Sequence, residues 1–251
     1  MTAHESYDEE YYRSGGYAGL NTGLTGQYFW ARRFYAALVR RYCRNGRVLE
    51  IGCGLGHVLE RLQDKYDAYG IDVSEYAVEQ ARSRAPRARA EVRAVEEIGR
   101  YGTEFFDAMI AVHVFEHLQR PQDVAALCYE SLRPGGVLIM ATPNLSAPLK
   151  ERKGDRWFGY KDPTHISMKP PSEWTAMLHE AGFRLRRAFG DGMWDVPYVA
   201  ALPPILQLPV FGFPAIVQTL TCIPMIPVRY SESLIVIAEK SEPDGTPAAW
   251  T

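Results

Sequence analysis

Residues 48–57 read Val-Leu-Glu-Ile-Gly-Cys-Gly-Leu-Gly-His, and Gly70-Ile71-Asp72 follows about twenty residues later. Glycines at 52, 54 and 56 let a ligand approach the backbone more closely than any Cβ would allow. Asp72 is of the right type and spacing to accept hydrogen bonds from a ribose diol. The chemistry implied is the binding of a nucleoside-bearing cofactor. A second group, His113, Glu116 and His117, puts two imidazoles and a carboxylate within five residues. These sit at a strand end and the following turn, with no third ligand at helical spacing, so no metal is expected. Glu116 and His117 are expected to hold that turn by hydrogen bonds.

The elements that must position these residues follow from pattern. Val48, Leu49 and Ile51 read as a buried parallel strand, 58–65 as the helix after the glycine turn, and 68–72 as the second strand. Ser74 caps a helix over 75–84, and Pro86 ends it. Strands are predicted at 90–95, 105–114, 137–142, 183–189 and 233–238, with helices at 27–42, 122–132 and 174–181. Strands alternating with helices imply a parallel sheet covered on both faces, with ligands bound beyond the carboxyl ends of the strands. Glu50, Gly52, Cys53, Gly54, Gly56, Asp72, Val73, Val95 and His113 all fall at those ends.

Spacing separates two cofactor classes. A dinucleotide fingerprint would carry its third glycine at position 57, where His57 stands; here the glycine is Gly56, and Glu50 precedes the loop. Glu-x-Gly-x-Gly-x-Gly followed by acidic Asp72 resembles the class I S-adenosylmethionine (SAM)-dependent methyltransferases. Leu132-Arg133-Pro134-Gly135-Gly136 before an apolar strand resembles the same family, as does the segment 113–118. The resemblance covers roughly 40–190 and 232–240. It implies a Rossmann-like sheet of seven strands, mostly parallel with the last antiparallel, SAM as cofactor and S-adenosylhomocysteine as product. It also implies that the residue at His113 passes beside the methionine moiety, and that the loop after the third strand contacts adenine. The usual acidic position there is Ala94, a departure from the family pattern, so Val95 and Glu96 are the expected contacts.

The acceptor side is expected in the long loop after the fifth strand, from Pro143-Asn144 to Asp162-Pro163-Thr164-His165. Asp-Pro-Thr-His resembles a stretch of small-molecule methyltransferases, and His165 is the candidate general base; the competing role is to hold the loop. Trp157 in this loop is expected at the substrate or lid. Residues 1–26 carry Tyr11, Tyr12 and Tyr17 among glycines. They form a separate N-terminal segment that either lies over the cofactor as a lid or is a mobile tail, with 27–251 as the methyltransferase domain. Within it, an apolar insertion occupies about 192–230. Its stretch 196–228 has no Asp, Glu, Lys or Arg and carries seven prolines. The longest proline-free run is nine residues, so a broken helical hairpin is expected rather than a membrane span. It can cover the pocket, form a homodimer interface, or make peripheral contact with a membrane surface.

Composition narrows the function classes. At 251 residues and 47% hydrophobic, the chain can bury one sizeable core. A formal charge of −2 provides no global basic field, so nucleic acid is not an expected partner. Cys43, Cys53, Cys128 and Cys222 form no C-x-x-C pair and read as free thiols. The acidic start (Glu5, Asp8, Glu9, Glu10) does not read as a signal peptide, so a cytoplasmic location is expected, with membrane association as an option through 196–228. The expected activity is methyl transfer from SAM to a small-molecule acceptor, by O-methylation of a metabolite, sugar or lipid-linked intermediate. A catalytically inactive SAM-binding scaffold is the alternative; a nicotinamide oxidoreductase is disfavoured by His57 and by 132–136.

Overall fold

A computed structural model describes Tyr7, residues 9–14 and residues 27–241. Its strands are β1 (Arg47–Ile51), β2 (Asp67–Asp72), β3 (Arg89–Val92), β4 (Phe106–Val112), β5 (Leu132–Pro143), β6 (Arg184–Gly190) and β7 (Ser233–Glu239). They form one sheet in the order β3-β2-β1-β4-β5-β7-β6. β7 runs antiparallel between β5 and β6, and the remaining pairings are parallel. This is the Rossmann-like sheet that the resemblance implies, with the last strand reversed.

Alternation along the strands divides the core into two layers. Val48, Ala108, Ile110, Val137, Ile139, Ile235 and Ile237 face one side, where Phe34, Leu38 and Val39 of helix Gln27–Tyr42 and Val78 and Ala81 of helix Glu75–Arg84 cover them. Leu49, Ile51, Met109, Leu138, Met140 and Val236 face the other, under Val124 and Cys128 of helix Pro121–Ser131 and Trp174 and Leu178 of helix Pro171–Glu180. Strands buried on both faces have no polar side, which is why they read as unbroken apolar runs.

Three boundaries differ from expectation. The helix after the glycine turn is a single turn, Leu59–Leu62. β3 ends at Val92, because Arg93 donates its amide to Asp72 O and the chain then turns into the 3-10 helix Val95–Tyr101. β5 begins at Leu132, so Arg133-Pro134-Gly135-Gly136 is both helix stop and strand start, with the β4 register shifting across it.

The insertion between β6 and β7 is a larger correction. Instead of a broken hairpin, Pro204–Thr221 is one continuous helical run, α over Pro204–Gln207, π over Leu208–Gly212 and α again over Phe213–Thr221. Pro209 and Pro214 lie inside this run, at the starts of the second and third segments, and each removes one backbone donor from the helical ladder. By length and composition this helix could cross a membrane. Its burial pattern, however, is inverted. Gln207, Gly212, Ala215 and Gln218 face inward, while Ile205, Val210 and Phe213 are 70%, 70% and 60% exposed.

Candidate active site

The glycine turn leaves β1 with Gly52, Gly54 and Gly56 at φ of +65°, +48° and +78°. L side chains rarely adopt these values. Space is also short: a Cβ on Gly52 would lie 2.5 Å from Val114 Cγ2, and one on Gly56 2.7 Å from the Ala81 backbone. Asp72, at the end of β2, accepts the Gly54 amide on Oδ2 at 2.9 Å and the Ser74 amide on Oδ1 at 2.9 Å. One buried carboxylate thus joins the turn after β1 to the helix start after β2. Burial raises its pKa while those amides pull it down. Val73 is half-buried beside it, and the Cys53 amide is used by Ile71 O at 2.9 Å, so Cys53 contributes a packed side chain.

Behind the turn, Glu50 and His57 border a cavity of about 20 Å³ together with Tyr28, Arg32, Gly52, Cys53, Val58 and Val112. Both are buried, and each has an unpartnered atom there, Glu50 Oε2 and His57 Nε2. Burial pushes the Glu50 carboxyl up to about 8, with Arg32 and the Leu59 amide pulling the other way. It pushes the His57 imidazole down to about 3, so His57 is neutral at physiological pH. Buried polar atoms in native proteins are mostly partnered, so each of these two calls for an explanation.

At the end of β4 the chain turns sharply, with His113 at φ +56° and its Nδ1 3.0 Å from Glu116 Oε1. The turn meets the loop after β5: Ser167 donates its amide to Glu116 O at 2.8 Å, and His117 Nδ1 lies 2.8 Å from Thr164 Oγ1. Thr164 Oγ1 donates in turn to Asp162 Oδ1 at 2.5 Å. His165 Nδ1 is 2.7 Å from Gly159 O, and the His117 and His165 rings lie 4.7 Å apart. Burial pushes His117 below the usual imidazole range. The expected turn-holding bonds of Glu116 and His117 exist, but they reach a loop some fifty residues away.

The N-terminal segment reaches the same place. Tyr7 OH is 3.2 Å from His117 Nδ1, Tyr11 OH donates to Asp162 Oδ2 at 3.1 Å, and buried Tyr12 packs on Tyr76 with ring centres 6.0 Å apart. Tyr17 lies outside the described residues. Val95 is buried in the core and Glu96 is exposed; both begin the 3-10 helix, where amides have no intrahelical partner. Trp157 is fully buried and donates its indole N–H to Glu232, bracing the loop from inside. Pattern reading missed Tyr7, Asp162 and Thr164 as site residues. Its one signal for them was the Asp-Pro-Thr-His run, read for its histidine alone.

The sequence pattern of a family described as a methyltransferase domain matches residues 27–188, more than half of the chain. The chain belongs to this family. Among curated relatives, a Mycolicibacterium smegmatis protein named "Probable S-adenosylmethionine-dependent methyltransferase" is 30% identical over 172 residues, covering 67% of this chain and 64% of that one. A ubiquinone biosynthesis O-methyltransferase of Alkalilimnicola ehrlichii is 32% identical over 103 residues, covering 39% of this chain and 42% of that one. The chain therefore matches less than two thirds of the length of each. A SAM-dependent methyltransferase structure from Archaeoglobus fulgidus superposes with a TM-score of 0.63 at 17% identity, covering 87% of this chain and 97% of that one. The [4+2]-cyclase SpnF superposes with a TM-score of 0.57 at 21% identity, covering 84% and 82%. At such identities the likeness shows the fold alone. For this methyltransferase domain the family's cofactor is SAM, and the orphaned atoms at Glu50 and His57 and the glycine cradle fit such a group.

Glu50 gives a stability test. Its folded pKa of about 8 lies above the unfolded carboxyl value, so folding takes up a proton, and stability falls as pH rises from the unfolded value through about 8. Glu50→Gln is therefore expected to melt a few degrees above the wild type at pH 8.5, at about 2 to 4 °C per kcal/mol for a chain of this size. The two should melt together near pH 4. Parallel melting curves across that range, measured by calorimetry without ligand, would contradict the buried neutral carboxyl.

Proposed function

We propose that the protein transfers the methyl group of SAM to a hydroxyl of a small-molecule acceptor at the carboxyl ends of β1, β2 and β4. The observation that carries this reading is His165: its Nδ1 faces Gly159 O at 2.7 Å, and a carbonyl can only accept, so the proton sits on Nδ1 and Nε2 keeps its lone pair. Bound SAM supplies an activated methyl on a sulfonium. What the chain must add is alignment of the acceptor oxygen and removal of its proton. His165 Nε2 takes that proton. The names of the ubiquinone biosynthesis O-methyltransferases among the relatives support oxygen as the methylated atom.

For the cofactor, Asp72 keeps a further lone pair on each oxygen for the ribose hydroxyls. Glu50, with Gly52, Cys53, Gly54 and Gly56, receives the methionine end. Val73, and the free amides of Val95 and Glu96, border the adenine. His113, held in a left-handed conformation by the turn, sits beside the methionine moiety. Tyr11 and Tyr12 close over the site as a lid, supported by the bond of Tyr11 to Asp162 and the packing of Tyr12 on Tyr76. Substitution of His165 by Ala is expected to lower turnover by about 10² to 10⁴-fold. Turnover is read as S-adenosylhomocysteine release with a panel of phenols, sugars and prenylated phenols, and SAM affinity, read by calorimetry, should stay unchanged. Full turnover by the variant would leave His165 a loop brace.

The inverted helix at 204–221 supports a contact with an anionic membrane surface. Gln207 accepts the amides of Tyr198 and Val199, and Gln218 accepts those of Met225 and Ile226, so the inward polar side chains are satisfied by backbone. The large apolar side chains are left outside. A helix anchored this way lies along a bilayer surface instead of crossing it. Arg33, which donates to Thr219 O and Leu220 O, Arg187, which donates to Pro224 O, and exposed Arg229 surround a stretch without a carboxylate. Co-sedimentation with phosphatidylglycerol vesicles is expected, and Val210→Asp with Phe213→Asp should abolish it without changing S-adenosylhomocysteine binding. A dimer lost in the same double variant, with no vesicle binding in the wild type, would make a second copy the occupant and sink the lipid reading.

A further inference from the structure

The turn after β4 and the loop after β5 bring one ligand atom each from Glu116, His117 and His165 within 4.8 Å of one another. We propose that these three residues bind one divalent first-row transition cation. The purpose assigned to it rests on the methyl-transfer reading; the site itself does not.

Three observations converge on the site. Thr164 Oγ1 gives its proton to Asp162 and so accepts from His117 Nδ1, which leaves His117 Nε2 with a lone pair. His165 is held the same way by Gly159 O. Fixing each imidazole through its other N–H is how metal-binding histidines are oriented. Glu116 is fully buried; its Oε1 is 3.0 Å from His113 Nδ1, but its Oε2 has no partner. A buried carboxylate oxygen without a donor costs free energy that a cation recovers. The His113 contact accounts for one oxygen and leaves this one unexplained. Three ligands of one ion held at about 2.1 Å lie about 3.4 to 3.6 Å from one another, so binding needs the set to contract by somewhat more than about 1 Å.

Two imidazoles and one carboxylate suit Mn²⁺, Fe²⁺, Co²⁺ or Zn²⁺ better than Mg²⁺ or Ca²⁺, which prefer all-oxygen sites. Three protein ligands leave positions open, as in catalytic sites. An acceptor hydroxyl coordinated there is acidified: its O–H bond breaks, the proton passes to solvent, and the oxygen keeps the electron pair that attacks the methyl carbon. Ligation uses the same His165 Nε2 lone pair that the base role needs, so the two roles exclude each other and chelation separates them.

The experiment uses untagged full-length protein, stripped with a chelator and titrated with Mn²⁺ by paramagnetic resonance and with Zn²⁺ by calorimetry. One equivalent is expected to bind. Glu116→Gln and His165→Ala should each weaken it at least about tenfold, while S-adenosylhomocysteine binding by His165→Ala reports that the fold is intact. Absence of binding at millimolar metal, or binding that neither substitution weakens, overturns the site. Methyl transfer that survives chelation but is lost in His165→Ala overturns the cation and leaves the base reading standing. Stoichiometric binding with no transfer to any acceptor upholds the site and removes the methyl-transfer reading.

Discussion

The Asp72 carboxylate is the constraint on which the cofactor side depends. Its two oxygens take amides from the turn after β1 and from the helix start after β2, and so fix two adjacent strand ends against each other. The connections after β1 and β2 run over one face of the sheet, with Leu59 and Leu62 beside Val78 and Ala81, while the helix after β4 lies on the other face. β1 lies between β2 and β4, and the ends of all three open onto the same edge. The glycine turn can then approach Ala81 and Val114 closely enough that a side chain at Gly56 or Gly52 would collide.

The loop after β5 is held by a different kind of network. Asn144 donates to Val228 O and Ser231 O, Lys153 pairs with Asp195 at 2.5 Å, and Asp191 takes Ser233 N at 2.8 Å and Trp194 Nε1 at 2.6 Å. Glu232 receives both Trp157 and Tyr198. These bonds weld the loop after β5 to the flanks of the insertion, so the two form one cap over the sheet edge. Buried polar networks of this sort rigidify when every member is satisfied. Ser233 Oγ in this network has no partner, and neither have Glu50 Oε2 and Glu116 Oε2, which lie where ligands are proposed.

The insertion obeys a logic opposite to that of the core. In the sheet, apolar side chains go in and polar ones out; in the helix at 204–221, glutamines go in and isoleucine, valine and phenylalanine go out. Such a face is stable beside an apolar phase and unfavourable in water.

Much of this was legible in the residues themselves. Seven strands, the glycine turn, Asp72 and the Ser74 cap depend on short-range period and turn chemistry, which neighbouring residues carry, and helix Glu75–Arg84 falls on its predicted bounds. Helix Pro204–Thr221 was not legible, because proline counts say nothing of which turn each proline enters or which face the core takes. Nor was the cluster of Glu116, His117 and His165. Sequence spacing showed two ligands and no third; the third comes from a loop beyond the next strand. Only the packing of that loop against the β4 turn decides that the imidazoles meet, because proximity across some fifty residues is set by the sheet order and not by local pattern.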